Sequence, residues 1–418
     1  MTAASAGKLE GVRKIAVLRP NAVGDFVFAL PALHALKHAY PDAELVLLGL
    51  PWHMRFLHAR PGPVDRVLEV PRLAGVGLAP DADDGAARRR FIEQMRLEEF
   101  DIVCQMYGGG RYSNPLVTAF GARLTVGARA DGAPPLDRWV PYTEPANRRL
   151  ALLETAALAG ATRLTLEQEL LVTPADRQAA DAVLARSARA SAARAALAHG
   201  QAMQDLVPAP DAGTGPVPAR TRHAAAAQDR LPARTAPSGA APADSPSEAP
   251  LVLLQPGSSD PRRCWPAASF AAVGNALARM GAQIAVNGSA DEAPLVRRVI
   301  RAMHAPAIDL SGKLDLGGLC GLIERAACVV SNDTGPLHLA LAIGTPSVGI
   351  FWLTNLIDGA PLRPSLLHAA LSLRQDCPVC GLPNLRQRCS HEASFVADVP
   401  VEQVIHMAQE VLEATRPM

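Results

Sequence analysis

Asp333 and His338 stand in the run Ser331-Asn332-Asp333-Thr334-Gly335-Pro336-Leu337-His338, and Asp25 follows Gly24 near the start of the chain. Both runs follow short apolar segments that read as strands. Cys328 to Val330 is the strand before the first run. A helix starts at Pro336, where a missing N–H costs nothing. Gly344 and Pro346 stop it, and Ser347 to Phe351 is the next strand. The turn therefore lies where parallel sheets bind ligands, at a strand's carboxyl end and a helix N-terminus. Amides after Asp333 are placed to hold a phosphate. The Asp333 carboxylate would instead accept hydrogen bonds from hydroxyls. The turn is read as built for a phosphate with a sugar attached. The plainer alternative is that Asp333 or Thr334 only caps the helix. His338 lies one turn inside the helix on the side of the turn, and is read as a ligand contact ahead of a structural histidine.

Asp25 ends the turn Arg19-Pro20-Asn21-Ala22-Val23-Gly24-Asp25, which follows the strand Lys14 to Leu18. A carboxylate there could act as a general base on an attacking hydroxyl. The alternative is an N-cap. A third segment, Gln255-Pro-Gly-Ser-Ser-Asp-Pro-Arg-Arg-Cys-Trp-Pro, follows another strand. Its amides, Ser258, Arg262 and Arg263 could stabilise a departing diphosphate. A solvated basic loop is the bland reading. A fourth group, Cys377, Cys380, Cys389 and His391, could hold a structural zinc. Its second pair is spaced more tightly than in the usual finger, so a reduced surface loop is preferred.

These turns need elements to position them. In the first half the strands are read at Lys14–Leu18, Glu44–Gly49, Val67–Val70 and Asp101–Gln105, with a weaker one at Leu124–Gly127. Phe28, Leu30, Leu33, Leu36 and Ala39 give the first helix its apolar spacing, and Arg149–Leu158 is another helix. In the second half the strands are Leu251–Leu254, Gln283–Asn287, Ile308–Leu310, Cys328–Val330 and Ser347–Phe351. Helices are read at Phe270–Met280, Glu292–Met303 and Leu316–Ala327. Alternation of this kind predicts parallel sheets covered by helices. Residues 187–249 are dominated by Ala, Arg, Pro, Gly and Ser. They cannot bury enough surface to offset ordering entropy, so a helical start to about Gly200 is expected to run into a disordered linker. The expected division is 1–186, a first Rossmann-like lobe; 187–249, the low-complexity insertion; and 250–418, a second Rossmann-like lobe.

Composition removes several classes. The 418 residues are 49% hydrophobic and 19% charged, enough for two cores. Net charge is +1, from 41 basic and 40 acidic residues, without the excess of a general nucleic-acid binder. The first ten residues lack the apolar segment of a secretory signal. No window reaches the ~20 apolar residues of a membrane span. A cytoplasmic protein is expected, with at most peripheral contact at the inner face of the cytoplasmic membrane and with reduced cysteines.

Taken together, the segments resemble glycosyltransferase family 9, the bacterial heptosyltransferases of lipopolysaccharide core assembly. Three stretches carry the resemblance: KIAVLRPNAVGDFVFALPALHALKHAYPDAEL; LVLLQPGSSDPRRCWPAASFAAVGNAL with NGSADE; and DLSGKLDLGGLCGLIERAACVVSNDTGPLHLALAIGTPSVGIFW. The resemblance implies an α/β fold of GT-B type, two Rossmann-like lobes with parallel sheets facing across a cleft. It implies an ADP-heptose donor on the C-terminal lobe and a lipopolysaccharide core glycolipid acceptor on the N-terminal lobe. It also implies transfer that inverts the anomeric centre and requires no metal or other cofactor. Asp25 matches the family's base, with Asn21 and Gly24 beside it on the acceptor side of the cleft. Asp333 matches a sugar-contacting carboxylate, Thr334 and Gly335 the diphosphate-binding amides, and Glu292 an acidic donor contact. Asn332, His338 and Ser258 complete the expected donor set. Arg263 stands where the family usually has lysine, which keeps the charge but exchanges a point ammonium for a planar fork.

Two rival functions stand beside this one, the first of them sharing the two-lobed fold. A sugar-nucleotide epimerase would form product without an acceptor. A non-catalytic nucleotide-sugar-binding protein would bind donor without turnover.

Overall fold

The structure is a computed structural model and describes residues 7–164, 169–187, 249–385 and 388–415. The helical start and linker expected at 187–249 lie outside the described residues, apart from their two end positions. The first half runs β1 (Lys14–Leu18), α1 (Val23–Ala39), β2 (Glu44–Gly49), α2 (Pro51–Leu57), β3 (Arg66–Glu69), a ribbon of β4 (Leu73–Ala74) and β5 (Gly77–Leu78), α3 (Gly85–Leu97), β6 (Ile102–Gln105), α4 (Ser113–Thr118), β7 (Leu124–Arg129), β8 (Arg138–Pro141) and α5 (Arg148–Leu158). Residues 174–187 form α6. The second half runs β9 (Leu251–Gln255), a 3-10 turn (Pro261–Arg263), α7 (Ala267–Arg279), β10 (Gln283–Val286), α8 (Ala293–Ala302), β11 (Ala307–Asp309), α9 (Leu316–Arg325), β12 (Cys328–Asn332), α10 (Gly335–Ile343), β13 (Ser347–Trp352), α11 (Leu353–Gly359), β14 (Leu367–Ser372) and α12 (Val401–Ala414).

The two large sheets have the same design. The first is ordered β3-β2-β1-β6-β7-β8 and the second β11-β10-β9-β12-β13-β14. Every pairing within them is parallel, for example Ala16↔Val46 and Ala16↔Val103, or Leu253↔Ala285 and Leu253↔Val329. A parallel strand covered on both faces must be apolar throughout, which is why β1 and β9 read IAVL and LVLL and are buried along those residues. Each order reverses beside its first strand, between β1 and β6 and between β9 and β12. Such switch points leave a crevice at the strands' carboxyl ends. Asp25 follows β1, the Gly257-Ser258 loop follows β9, and Asp333 follows β12.

A shared core joins the halves. Phe26, Leu30 and Leu33 of α1 belong to the same buried cluster as Leu339, Ala340 and Ile343 of α10. Gly24 and Gly335 meet where these helices begin: a Cβ on Gly335 would lie 3.3 Å from the Val23 Cβ and 3.5 Å from the Gly24 amide. The segment before the linker crosses the boundary expected near residue 186. The Glu169 amide donates to the Ala342 carbonyl, and α6 packs on α9 so closely that a Cβ on Gly321 would stand 2.2 Å from the Asp176 carbonyl oxygen. Asp176 in turn pairs with Arg60 at 2.7 Å, both nearly buried. Among the described residues no helix is long and apolar enough to cross a membrane.

Candidate functional site

A cavity of about 420 Å³ opens between the two switch points. Gly24, Asp25, Arg263, Asp333, Thr334, Gly335 and His338 line it, so seven of the residues singled out from sequence meet there. Phe28, Arg148, Asn355, Asp358 and Gly359 share the lining without having been expected.

Neither carboxylate serves as a helix cap. Ala22 is the residue before α1, and Asp25 sits in its first turn. Thr334 precedes α10 in an extended conformation, and its side chain makes no cap bond. The capping alternatives therefore fail for Asp25, Asp333 and Thr334. Among the described residues the Thr334 and Gly335 amides donate to no acceptor, so the start of α10 offers N–H groups to the cavity.

Asp25 is held by Arg19, which the sequence reading passed over. Arg19 Nη2 donates to Asp25 Oδ1 at 3.1 Å and to the Asp25 carbonyl at 2.9 Å; Nε reaches the same carbonyl at 3.1 Å. Its Nη1 donates to the Met106 carbonyl, beyond β6. Burial lowers the Arg19 pKa to about 10, against the opposing pull of Asp25, and leaves the guanidinium charged at neutral pH. Asp25 Oδ2 makes no hydrogen bond among the described residues, and the Asp25 side chain is 32% exposed against 5% for Arg19. The base candidate is thus pinned from behind and open in front.

Asp333 is 4% exposed and accepts three side-chain bonds. His338 Nε2 donates to Oδ1 at 3.0 Å, Asn355 Nδ2 to Oδ2 at 2.7 Å, and Arg263 Nη1 to Oδ2 at 3.1 Å. Burial raises its pKa, but these partners outweigh burial and hold it below the ordinary carboxylate value. Burial dominates at His338 and lowers its pKa, so it is a neutral donor at pH 7.

The other expected residues stand behind the cavity. Asn332 accepts from the Trp265 amide at 3.0 Å and donates to the Pro256 carbonyl at 2.7 Å, bracing the loops instead of facing a donor. Glu292 accepts from the Ser289 amide at 2.8 Å and packs on Gly257, where a Cβ would stand 1.9 Å from its carboxylate. Ser258 Oγ accepts from the Asp260 amide at 3.3 Å and shapes the same loop. Arg262 is tied to Asp260 at 2.6 Å, which leaves Arg263 as the loop arginine on the cavity. Asn21 accepts Trp52 Nε1–H at its carbonyl, 3.3 Å, and does not line the cavity.

Buried neutral histidines tie stability to pH. Burial against Trp52 lowers the His53 pKa to about 4, and His338 is lowered in the same direction from 6.5. For such a base the unfolded chain binds a proton before the folded chain does. Stability is then fully present above the unfolded value and falls as pH drops through 6.5 toward about 4 for His53. Urea midpoints taken from about pH 7.5 to pH 5 are expected to decline, and His53→Gln and His338→Gln should each flatten part of that slope.

Comparisons with known proteins bear on the family and the fold. Residues 216–380 match the profile of glycosyltransferase family 9 (heptosyltransferase). A curated relative, lipopolysaccharide heptosyltransferase 3 of Escherichia coli K12, is 25% identical over 169 residues, 40% of this chain and 47% of the relative. The chain thus spans about half the length of the curated relatives it matches. Among solved structures, a family 9 glycosyl transferase from Veillonella parvula superposes with TM-score 0.67 at 16% identity, covering 98% of this chain and 100% of that one. An ADP-heptose lipopolysaccharide heptosyltransferase II of E. coli superposes with TM-score 0.60 at 17% identity, covering 96% and 99%. At those identities the superpositions establish the two-lobed fold of GT-B type. The chain is thus similar to glycosyltransferase family 9 over residues 216–380, and its two lobes together take the fold of the solved family 9 structure.

Proposed function

We propose that the protein is an inverting, metal-independent glycosyltransferase that moves a heptose from ADP-heptose to a lipopolysaccharide core acceptor at the inner face of the cytoplasmic membrane. The observation that carries this is the pair of carboxylates from opposite lobes in one cavity. Asp25 is open, and Asp333 accepts from three donors, which leaves one of a carboxylate's about four acceptor sites free, on Oδ1. Asp25 Oδ2 takes the proton of an acceptor hydroxyl. The hydroxyl oxygen attacks the anomeric carbon from the face opposite the diphosphate. The bond from that carbon to the diphosphate oxygen breaks, and the nucleoside diphosphate leaves with the electron pair. Arg263 and the amides of Thr334 and Gly335 stabilise its charge. Asp333, kept ionised, takes a hydroxyl of the donor sugar. The relative named for ADP-heptose supports the choice of donor. Titration calorimetry with ADP-heptose, ADP and UDP-sugars tests the donor: the ADP compounds should bind and the UDP-sugars should not. Equal binding of UDP-sugars would overturn the adenine assignment.

The structure draws Cys377, Cys380, Cys389 and His391 together, their ligand atoms all within 4.8 Å of one another. Zinc–sulfur and zinc–nitrogen bonds of about 2.3 and 2.0 Å place the ligand atoms of a tetrahedral Cys3His set about 3.5–3.8 Å apart, so the set fits with small movements. His391 Nδ1 is buried without a partner, and the Val379 amide points at Cys377 Sγ from 3.4 Å. We infer a structural zinc here, in place of the reduced loop preferred from spacing alone, with no part in transfer. Metal analysis of purified protein should find about one zinc per chain, lost in Cys377→Ser together with thermal stability.

A further inference from the structure

Arg149 lies outside the interlobe cavity, yet it is only 1% exposed. Arginine is almost never buried so completely unless it is paired. Among the described residues Arg149 makes no ion pair, and its Nε, itself buried, donates to nothing. Glu169 acts on it only from beyond hydrogen-bond reach. Taking a guanidinium out of water without a carboxylate against it is unfavourable, so the position has a reason other than stability.

What it holds is the end of α11. Its Nη1 donates to the Gly359 carbonyl at 2.8 Å and to the Ala360 carbonyl at 3.2 Å. The last turn of a helix leaves such carbonyls free, at the negative end of its dipole. Asn147 Nδ2 donates to the same Ala360 carbonyl at 3.0 Å, and the Ala146 amide to Asp358 Oδ1 at 3.3 Å. The start of α5, in the first lobe, therefore caps a short helix of the second. α11 has seven residues and no side-chain bond at its N-cap, so this clasp fixes it from outside.

Two routes lead from Arg149 to Asp333. α11 carries Asn355, which donates to Asp333 Oδ2 at 2.7 Å. Gly359 lies so near His338 that a Cβ there would stand 3.1 Å from the ring's Cε1. The Arg149 guanidinium carbon is 4.8 Å from the centre of the Phe28 ring, and that ring meets His338 edge-on at 4.6 Å. Two of the three donors that hold Asp333 thus rest on groups that Arg149 touches. The structure assigns Arg149 the role of a positioning residue: from the first lobe it holds α11 and Phe28, so that Asn355 and His338 aim the Asp333 carboxylate at the donor sugar. Sugar recognition in the second lobe is thereby tied to engagement of the first. The inference rests on the reading of Asp333 as the sugar contact and is tested apart from it.

The test titrates ADP-heptose and ADP into the full chain, as wild type, Arg149→Met, Asp333→Asn and the double variant. Methionine keeps buried apolar bulk and removes the donors. Arg149→Met is expected to weaken ADP-heptose about tenfold and to leave ADP within about twofold. On top of Asp333→Asn it should cost less than about twofold more, because the carboxylate it aims is gone; a merely structural role would add in full. Donor kcat/KM in transfer to a deacylated core oligosaccharide should follow the affinities. Should Arg149→Met not fold, Arg149→Lys keeps the charge and a donor, and a loss of about threefold confined to ADP-heptose is expected. ADP-heptose affinity at the wild-type level, an equal loss for ADP, or full additivity with Asp333→Asn would overturn the role. If Asp333→Asn itself leaves ADP-heptose affinity intact, the sugar contact fails instead. The side-chain amide resonances of Asn355, identified by their absence in Asn355→Ala, then decide the positioning: displaced in Arg149→Met they uphold it, unmoved they overturn it.

Discussion

Asp25→Asn is expected to lower kcat by about 10²–10⁴, the usual worth of a positioned general base, with ADP-heptose affinity unchanged. The amide keeps the shape of the carboxylate and its oxygen can still accept from Arg19 Nη2, now 3.1 Å away. What it loses is the second oxygen, which makes no protein hydrogen bond and faces the cavity. Arg19 also holds the Asp25 carbonyl, so the first turn of α1 stays in place. The effect should therefore fall on the chemical step and not on binding or folding. Steady-state kinetics with a parallel donor titration separates these. A kcat within threefold of wild type would remove Asp25 from the chemistry.

Asp333→Asn should separate sugar from diphosphate. The carboxylate accepts from His338, Asn355 and Arg263, and only an acceptor can satisfy three donors at once. An amide leaves at least one of them unpaired in a buried place, so a stability loss on the order of 2 kcal/mol is expected in urea unfolding. ADP-heptose loses its charged hydroxyl acceptor. At about 1.5–3 kcal/mol for hydrogen bonds to a charged group, its affinity should drop roughly 10- to 150-fold. ADP affinity should not weaken, because Arg263 is released from its carboxylate and gains freedom to meet a phosphate. Calorimetric titration of both ligands into one variant reads the difference. An equal loss for the two would place Asp333 at the diphosphate.

The pattern of what was legible follows from how local each signal is. β1, β9 and β12 announce themselves because a strand buried on both faces shows an unbroken apolar run, here IAVL, LVLL and CVV. The turns after them are equally plain, since glycine, aspartate and proline specify backbone and chemistry together. Arg19 stands six residues before Asp25, yet its role depends on Met106, brought alongside only when β6 pairs with β1. Asn355 and Asp358 lie on α11, a helix of only seven residues, LTNLIDG, and what they meet is decided by how that helix packs. Asn332 was drawn into the donor set by its neighbours, and turned out to brace Trp265. The site's carboxylates were readable from types and spacing, while the side chains that hold and aim them belong to tertiary structure.

The central claim is that two lobes bring a base and a donor-sugar carboxylate to one anomeric carbon. The most direct measurement incubates the full chain with ADP-heptose, with and without the deacylated core oligosaccharide, and follows ADP release and the mass of the oligosaccharide. The account predicts ADP release that depends on the oligosaccharide, matched by a gain of one heptose in its mass. Conversion of the nucleotide sugar without acceptor, or donor binding with no release under either condition, would contradict it.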